Sequence, residues 1–190
     1  MKKLKDRGEG AMENIETKRF ELLKVEMTDA EAIFEILSNQ NVITNLNTEI
    51  HKTIEDTKKM IEEYEMEYKE NKKFPYKIVD KETGEFIGVF LIKLDLYDED
   101  CFEFTIYLNE KHWGKSVYTE VLPYMIDAAF MVVKTGNFRG FVMEKNIASR
   151  KVLEKSNMKL EKVFNVPGIN EPIYSFLITR EEWEEQNKKI

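Results

Sequence analysis

The chain has 190 residues, 42% hydrophobic and 34% charged, with a formal net charge of −7 and a single cysteine. That length can bury a core without disulfides or a structural metal, and the composition is ordinary for a globular protein. The acidic balance argues against nonspecific nucleic-acid binding, which needs a basic surface, and suits a cationic partner such as an amine.

Cys101 has no internal partner, so nothing points to an oxidising compartment. His51 and His112 lack any ligand spacing, and no metal site is expected. The N-terminal lysines precede no apolar stretch, so no secretory signal is expected. The apolar run 86–92 (FIGVFLI) is far too short to span a bilayer. A cytoplasmic protein with no membrane or nucleic-acid partner is expected, with monomer and homodimer both open.

Residues 1–16 are charged, contain two glycines and show no periodicity, so they read as a loose arm. Met12 offers a second start, which would leave 1–11 as an extension or a non-native remnant. The remainder, 17–190, reads as a single domain. A first strand is expected over 20–25, followed by a capping box from Thr28 to Glu31. The helix behind it puts Ala30, Ile33, Phe34 and Leu37 on one face. A second helix spans about 53–69 with Ile54, Met60, Ile61, Tyr64 and Tyr68 inward.

Strands over 74–80 and 85–94 flank a polar turn at 81–84, and an acidic turn at 97–100 leads to a third strand, 101–108. A loop and a helix over 116–133 follow, then a strand at 139–143 and a helix at 148–156. Strands at 160–164 and 173–179 close the pattern. Interleaved helices with antiparallel middle strands predict a mixed α/β (α+β) sheet with helices on its faces.

Two segments carry chemistry. Over 108–120 a strand runs through a short loop with one glycine, Gly114, into a helix. Free N–H groups and the dipole at such a helix start can cradle a phosphate, although an ordinary strand–turn–helix connection reads the same way. Over 141–149 a strand ends at Asn146 and Ser149, which suit a helix N-cap and can face a cleft as well.

Together these segments resemble the GNAT acetyltransferases, in particular the Rim-type branch that acetylates ribosomal-protein N-termini. The family's Q/R-x-x-G-x-G/A loop stands as KHWGKS from Lys111 to Ser116, running on to Thr119 and Glu120. Its N-x-x-S-x-x-x-x-E-K-x-G-F stands as Asn146, Ser149, Glu154, Lys155, Asn157 and Met158. An opening E-T-x-R stands at Glu16–Arg19, and a closing E-W at Glu182 and Trp183. The matches cover 16–183 in order. Departures are Lys111 for Gln or Arg, Ser116 for the second small residue, Thr105 for a strand glycine and Asn157 for a glycine C-cap. Met158 stands for Phe, and Pro123 should kink its helix or force a late restart.

The resemblance implies a strongly twisted sheet whose two central strands splay to admit acetyl-CoA as co-substrate. Backbone groups of Tyr107 and Leu108 would pair with pantetheine. The loop formed by Lys111, His112, Trp113, Gly114, Lys115, Ser116, Val117 and Tyr118 would hold the pyrophosphate, chiefly through the amides of 113–118. Asn146 and Ser149 would sit at the thioester end, with Ser149 donating to the departing thiolate. Glu103 stands at the glutamate of the family's A-E-I-G-Y strand and would accept the amine proton. Its spacing alone also fits a plain surface-facing strand residue. Glu171 is a second acidic candidate.

Other residues read as structural. Cys101 reads as a small buried hydrophobe, His112 as solvent-facing and His51 as unpartnered; Tyr64, Tyr68 and Trp183 read as packing. The expected acceptor is a protein N-terminal α-amine. A polyamine or aminoglycoside-like amine, and a noncatalytic acyl-CoA-binding module, are the alternatives.

Overall fold

The computed structural model describes residues 14–46 and 48–188. An eight-stranded sheet runs in the order β1-β2-β3-β4-β5-β6-β8-β7. Its strands are β1 (Ile15–Glu16), β2 (Phe20–Lys24), β3 (Lys73–Asp80), β4 (Phe86–Leu94), β5 (Cys101–Leu108), β6 (Asn137–Met143), β7 (Lys159–Phe164) and β8 (Ile173–Thr179). The helices are α1 (Ala30–Leu37), α2 (Gln40–Ile43), α3 (Ile54–Lys69), α4 (Val117–Ala128), α5 (Ile147–Lys155) and α6 (Arg180–Asn187). Among the described strands β5 and β6 are parallel neighbours and every other pair is antiparallel. The expected mixed sheet with helices on both faces is what forms.

Side chains alternate across the pleat, so the central strands β4 and β5 feed two cores. Phe102 and Phe104 of β5 pack with Val121 and Met125 of α4. Tyr107 and Val89 instead join Ile33 and Ile36 of α1 and Ile61 of α3. Phe104 is stacked between Phe90 and Phe138, with ring centroids 5.1 Å from each. Such a pair is worth roughly 0.5–1.5 kcal/mol beyond its area burial. Gly140 makes room for this stack, because a Cβ there would stand 2.6 Å from Phe104 Cζ.

Several local expectations are corrected. The predicted arm lies largely outside the described residues, as does Met12, but Ile15 and Glu16 form β1 and Ile15 is buried. The Thr28–Glu31 box does not form. Instead Asp29 accepts from the Glu26 N–H at 2.8 Å across a 3-10 turn, and α1 starts at Ala30. Within α1, Ile36 takes the fully buried place expected for Phe34.

Pro123 forces no restart. Helix α4 runs unbroken from Val117 to Ala128 with Pro123 on its solvent side, where the carbonyl that loses its partner can meet water. A π-helical turn, Ala129–Val133, completes the expected length. Asn157 does not adopt the left-handed conformation. Ser156 ends α5 in an extended conformation, and its hydroxyl donates to the Leu153 carbonyl at 2.7 Å. Met158 is buried as the expected plug.

Candidate active site

β5 and β6 pair only from Cys101–Asn137 to Phe104–Gly140. Beyond that point Thr105–Leu108 and Phe141–Met143 diverge, while β4 still pairs with β5 as far as Leu108 and β8 pairs with β6 as far as Met143. Backbone groups along the inner edges of the split therefore lack a ladder partner and can accept an extended amide-bearing chain. A cavity of about 1310 Å³ opens there. Its lining includes Gly114, Ser116 and Tyr118 after β5, Thr105 and Phe141 where the strands part, and Val42, Tyr64 and Glu103.

The loop expected to hold the cofactor begins at Asn109, whose side chain accepts from the Lys111 amide at 3.2 Å. Gly114 has φ +73 and Ser116 φ +60, so two left-handed residues turn the chain before α4. The family's preference for glycine at this second place follows from that φ. No side chain caps α4. Among the described groups, the amides of Gly114, Ser116, Val117 and Tyr118 have no acceptor, as an anion cradle requires. The amides of Trp113 and Lys115 are instead spent internally, on the carbonyls of Glu110 at 3.1 Å and His112 at 3.4 Å.

Other members of the loop differ from expectation. Lys111 turns away from the cavity to Glu85, with Nζ–Oε1 at 2.9 Å, and Lys115 also lies outside the cavity wall. His112 is not solvent-facing: it is 6% exposed and lines the cavity. Burial holds its pKa below the ordinary value against the opposing pull of Glu85, 3.5 Å away. The Trp113 indole donates to the Leu108 carbonyl at 3.2 Å, so part of the backbone expected to meet pantetheine already has a partner. Tyr107 lines the cavity, but its phenol pairs with Tyr64 across 3.5 Å and burial raises its pKa far above the usual range.

The opening E-T-x-R segment braces this loop. Glu120 accepts from the Thr17 hydroxyl, the Arg19 amide and Arg19 Nε, each at 2.7 Å, while an Arg19 guanidinium N–H reaches the Lys115 carbonyl at 3.0 Å. Sequence reading had matched both segments without joining them. A second clamp was missed. Glu110 accepts from Asn39 at 2.8 Å and Asn41 at 2.9 Å, tying α2 to the loop, and Asn109 donates to Glu35 of α1 at 2.8 Å.

Asn146 caps α5 by accepting the Ser149 amide at 3.1 Å, and both residues line the cavity. The two expected roles of Asn146, cap and cleft wall, thus coincide. Glu171 is tied down by the Lys145 amide and ammonium, each at 2.8 Å, and the Lys145 hydrogen bonds lower its pKa. Glu171 lies outside the cavity wall, which makes it a weaker candidate for a base than Glu103.

Glu103 lies in the cavity wall on the α1–α3 face, one residue before the strands part. Its Oε1 stands 2.6 Å from Lys93 Nζ, its register partner on β4. Beside it Arg139 bridges Asp95 at 2.6 Å and Glu161 at 3.2 Å, and Glu161 accepts from the Ser175 hydroxyl at 2.7 Å. Sequence reading missed Lys93 and this polar bed. Lys93 was findable: counting outward from Asp98, within the acidic turn, reaches Lys93 and Glu103 in equal steps.

Cys101 is fully buried and burial pushes its thiol up to about 12, leaving no thiolate for catalysis. His51 does have a partner, since its Nδ1 lies 2.8 Å from the buried Thr57 hydroxyl. Trp183 packs as expected, stacked on Phe130 at 5.2 Å with its indole donating to Asp127 at 2.8 Å. Among the described residues no cluster of His, Cys, Asp and Glu is suited to a metal, and no helix is long and apolar enough to cross a membrane.

A split parallel strand pair beside an uncapped helix start defines a fold built to take acetyl-CoA, and the comparisons agree. The family model described as an acetyltransferase (GNAT) domain matches residues 19–159. The chain belongs to the GNAT acetyltransferase family and is an N-acetyltransferase with acetyl-CoA as co-substrate. It is 27% identical over 154 residues to the uncharacterized N-acetyltransferase p20 of Bacillus licheniformis, covering 79% of this chain and 84% of that protein.

Two solved structures share the fold. One is the ribosomal-protein-S5-alanine acetyltransferase of Vibrio fischeri, with TM-score 0.78 and 17% identity over 90% of this chain and 99% of that one. The other is the spermidine N-acetyltransferase of Vibrio cholerae in complex with CoA and spermine. Its TM-score is 0.75, with 17% identity over 87% of this chain and 98% of that one.

Proposed function

We propose that the protein acetylates the α-amino group of a polypeptide N-terminus, with Glu103 as the proton acceptor, in the manner of the Rim-type branch. The observation that carries this reading is the cavity wall opposite the cofactor loop. It combines the Glu103 carboxylate with Leu96 and Tyr97, two large apolar side chains that are 85% and 96% exposed. Exposed apolar surface beside a reaction cleft suits a polypeptide more than a small polar amine. The structural likeness to the S5-alanine enzyme supports the same choice.

In this reading the amides of Gly114, Ser116, Val117 and Tyr118 hold the pyrophosphate, and the split strands align the pantetheine arm. Acetyl-CoA supplies an activated thioester. Glu103 takes a proton from the incoming amine, and the Ser149 hydroxyl, which has no partner among the described groups, donates to the departing thiolate. An α-amino group ionises near pH ~8 and a lysine amine near ~10.4, so the former is neutral far more often near neutral pH.

A second reading, a small polycationic amine as acceptor, is favoured by Asp98, which shares the cavity with Glu103, and by the likeness to the spermidine enzyme. A thiol-release assay across N-terminal peptides, polyamines and aminoglycosides separates the two. Turnover on peptides is expected. Turnover on small amines with none on peptides would replace the first reading with the second.

A further inference from the structure

Lys93 carries a primary amine into the cavity that holds Glu103. The β4–β5 register sets the two residues opposite each other, and Nζ lies 2.6 Å from Glu103 Oε1. The Lys93 side chain is 37% exposed and that of Glu103 13%, so the amine is accessible while the carboxylate is shielded. A primary ammonium against this carboxylate has the placement that an acceptor amine must reach. Lys145 and Lys162 also line the cavity, but Lys145 is held by Glu171, outside the cavity wall. Lys162 lies over the Phe164 ring at 5.6 Å, with no carboxylate of the cavity on it among the described residues.

The thioester end comes to the same place. From Leu108, beside the cofactor loop, back to Glu103 is a run of five residues, or ~17 Å at ~3.3 Å per residue. An extended pantetheine arm with its phosphates on the free amides would run along this edge and bring its sulfur to the stretch between Thr105 and Glu103, where β5 and β6 part. Lys93 sits on a flexible four-carbon stem and needs only a side-chain rotation to pass from Glu103 toward that point.

We propose that Lys93 is a self-acetylation site. The inference rests on Glu103 being the base. Glu103 accepts a proton from the Lys93 ammonium, and the freed Nζ forms an amide bond with the acetyl carbonyl carbon. The thioester C–S bond breaks, and CoA leaves as the thiol after taking up the second proton lost by the nitrogen. The product is a neutral amide, so Glu103 loses its cation.

The test incubates the full chain with acetyl-CoA and no acceptor, then quantifies acetyl-lysine by peptide mass mapping. Lys93 is expected to be labelled faster than Lys58 and Lys72, which are more exposed but lie outside the cavity wall. The labelled fraction should be unchanged on dilution, as an intramolecular step requires. Glu103→Gln should slow Lys93 labelling about 10²-fold, the usual worth of a general base, with Lys58 unaffected. Lys93→Arg should remove the label from that peptide.

Labelling of Lys93 no faster than Lys58, or a rate that falls with dilution, would overturn self-acetylation. Glu103→Gln is assayed in parallel on added amines and checked for native circular dichroism. If added amines still require Glu103 while Lys93 stays unlabelled, self-acetylation alone fails. If neither reaction depends on Glu103, the base assignment fails and takes the inference with it.

Discussion

At the scale of single residues, the proposed site rests on one carboxylate and one turn. Glu103 is anchored by Lys93 at the floor of the cleft. Replacing it by Gln keeps shape and hydrogen bonding while removing the base, so kcat should fall roughly 10²-fold or more with the Michaelis constant for acetyl-CoA nearly unchanged. The loss should shrink as pH rises, because more of the acceptor amine is then already neutral. A fall of less than about threefold at neutral pH, with chemistry rate-limiting, would make Glu103 structural.

Gly114 supports a second prediction. A Cβ there meets no atom within 4 Å, so the cost of Gly114→Asp to folding comes from φ +73 alone. Asp tolerates that region better than most residues, and the cost should be about 1 kcal/mol. Acetyl-CoA binding, measured by calorimetry, should weaken far more, because a carboxylate then faces the pyrophosphate. Unchanged binding would disprove the phosphate cradle.

At the scale of elements, the cofactor loop is held from two sides. Glu110 ties it to α2, and Glu120 ties α4 to the turn between β1 and β2. Burial alone would raise the Glu120 pKa, but the hydrogen bonds from Thr17 and Arg19 outweigh it and lower the value. A lowered folded pKa means stability that is present above the ordinary glutamate range and lost as pH falls through the folded value. Urea unfolding of Glu120→Gln should show a loss of roughly 1.5–3 kcal/mol at neutral pH, the usual worth of hydrogen bonds to a charged group. The gap to the parent should close below about pH 4. Acetyl-CoA affinity should weaken too, since Arg19 then loses its anchor and its hold on the Lys115 carbonyl. A gap independent of pH would show that the carboxylate charge contributes nothing.

At the scale of the whole molecule, the sheet carries its order from β1 through to β7, and we propose that 17–190 unfold as one domain. Arg139 tests this, because it joins Asp95 in the β4–β5 turn to Glu161 on β7 across β6 and β8. Removing Arg139 takes the cation from the Asp95 carboxylate, whose side chain is 8% exposed, while Glu161 keeps Ser175 and water, so Arg139→Ala should cost roughly 1.5–3 kcal/mol. The whole transition should move down in temperature as a single step. An early partial transition confined to the β6–β8 half would divide the domain.

The chain itself determined much of this protein. Strand and helix order, the 101–108 and 173–179 strands and the polar hairpin turn follow from alternation and turn chemistry within a few residues. The Gly114 loop was equally legible, because a strand–glycine–helix junction is local and the free amides come with any uncapped helix start. Tertiary structure decided the rest. Sequence spacing does not reveal that β8 inserts between β6 and β7, or that β5 and β6 part after Phe104. Nor does it bring Arg19 to Glu120, Asn39 to Glu110, or Arg139 to Asp95. His112 was misread for the same reason: its burial is set by neighbours packed from distant parts of the chain, whereas composition near a loop reports only exposure on average. Periodicity records which face a residue takes within its own element. Which groups meet across elements depends on the sheet order and on the gap between two strands, and those exist only once the whole sheet has closed.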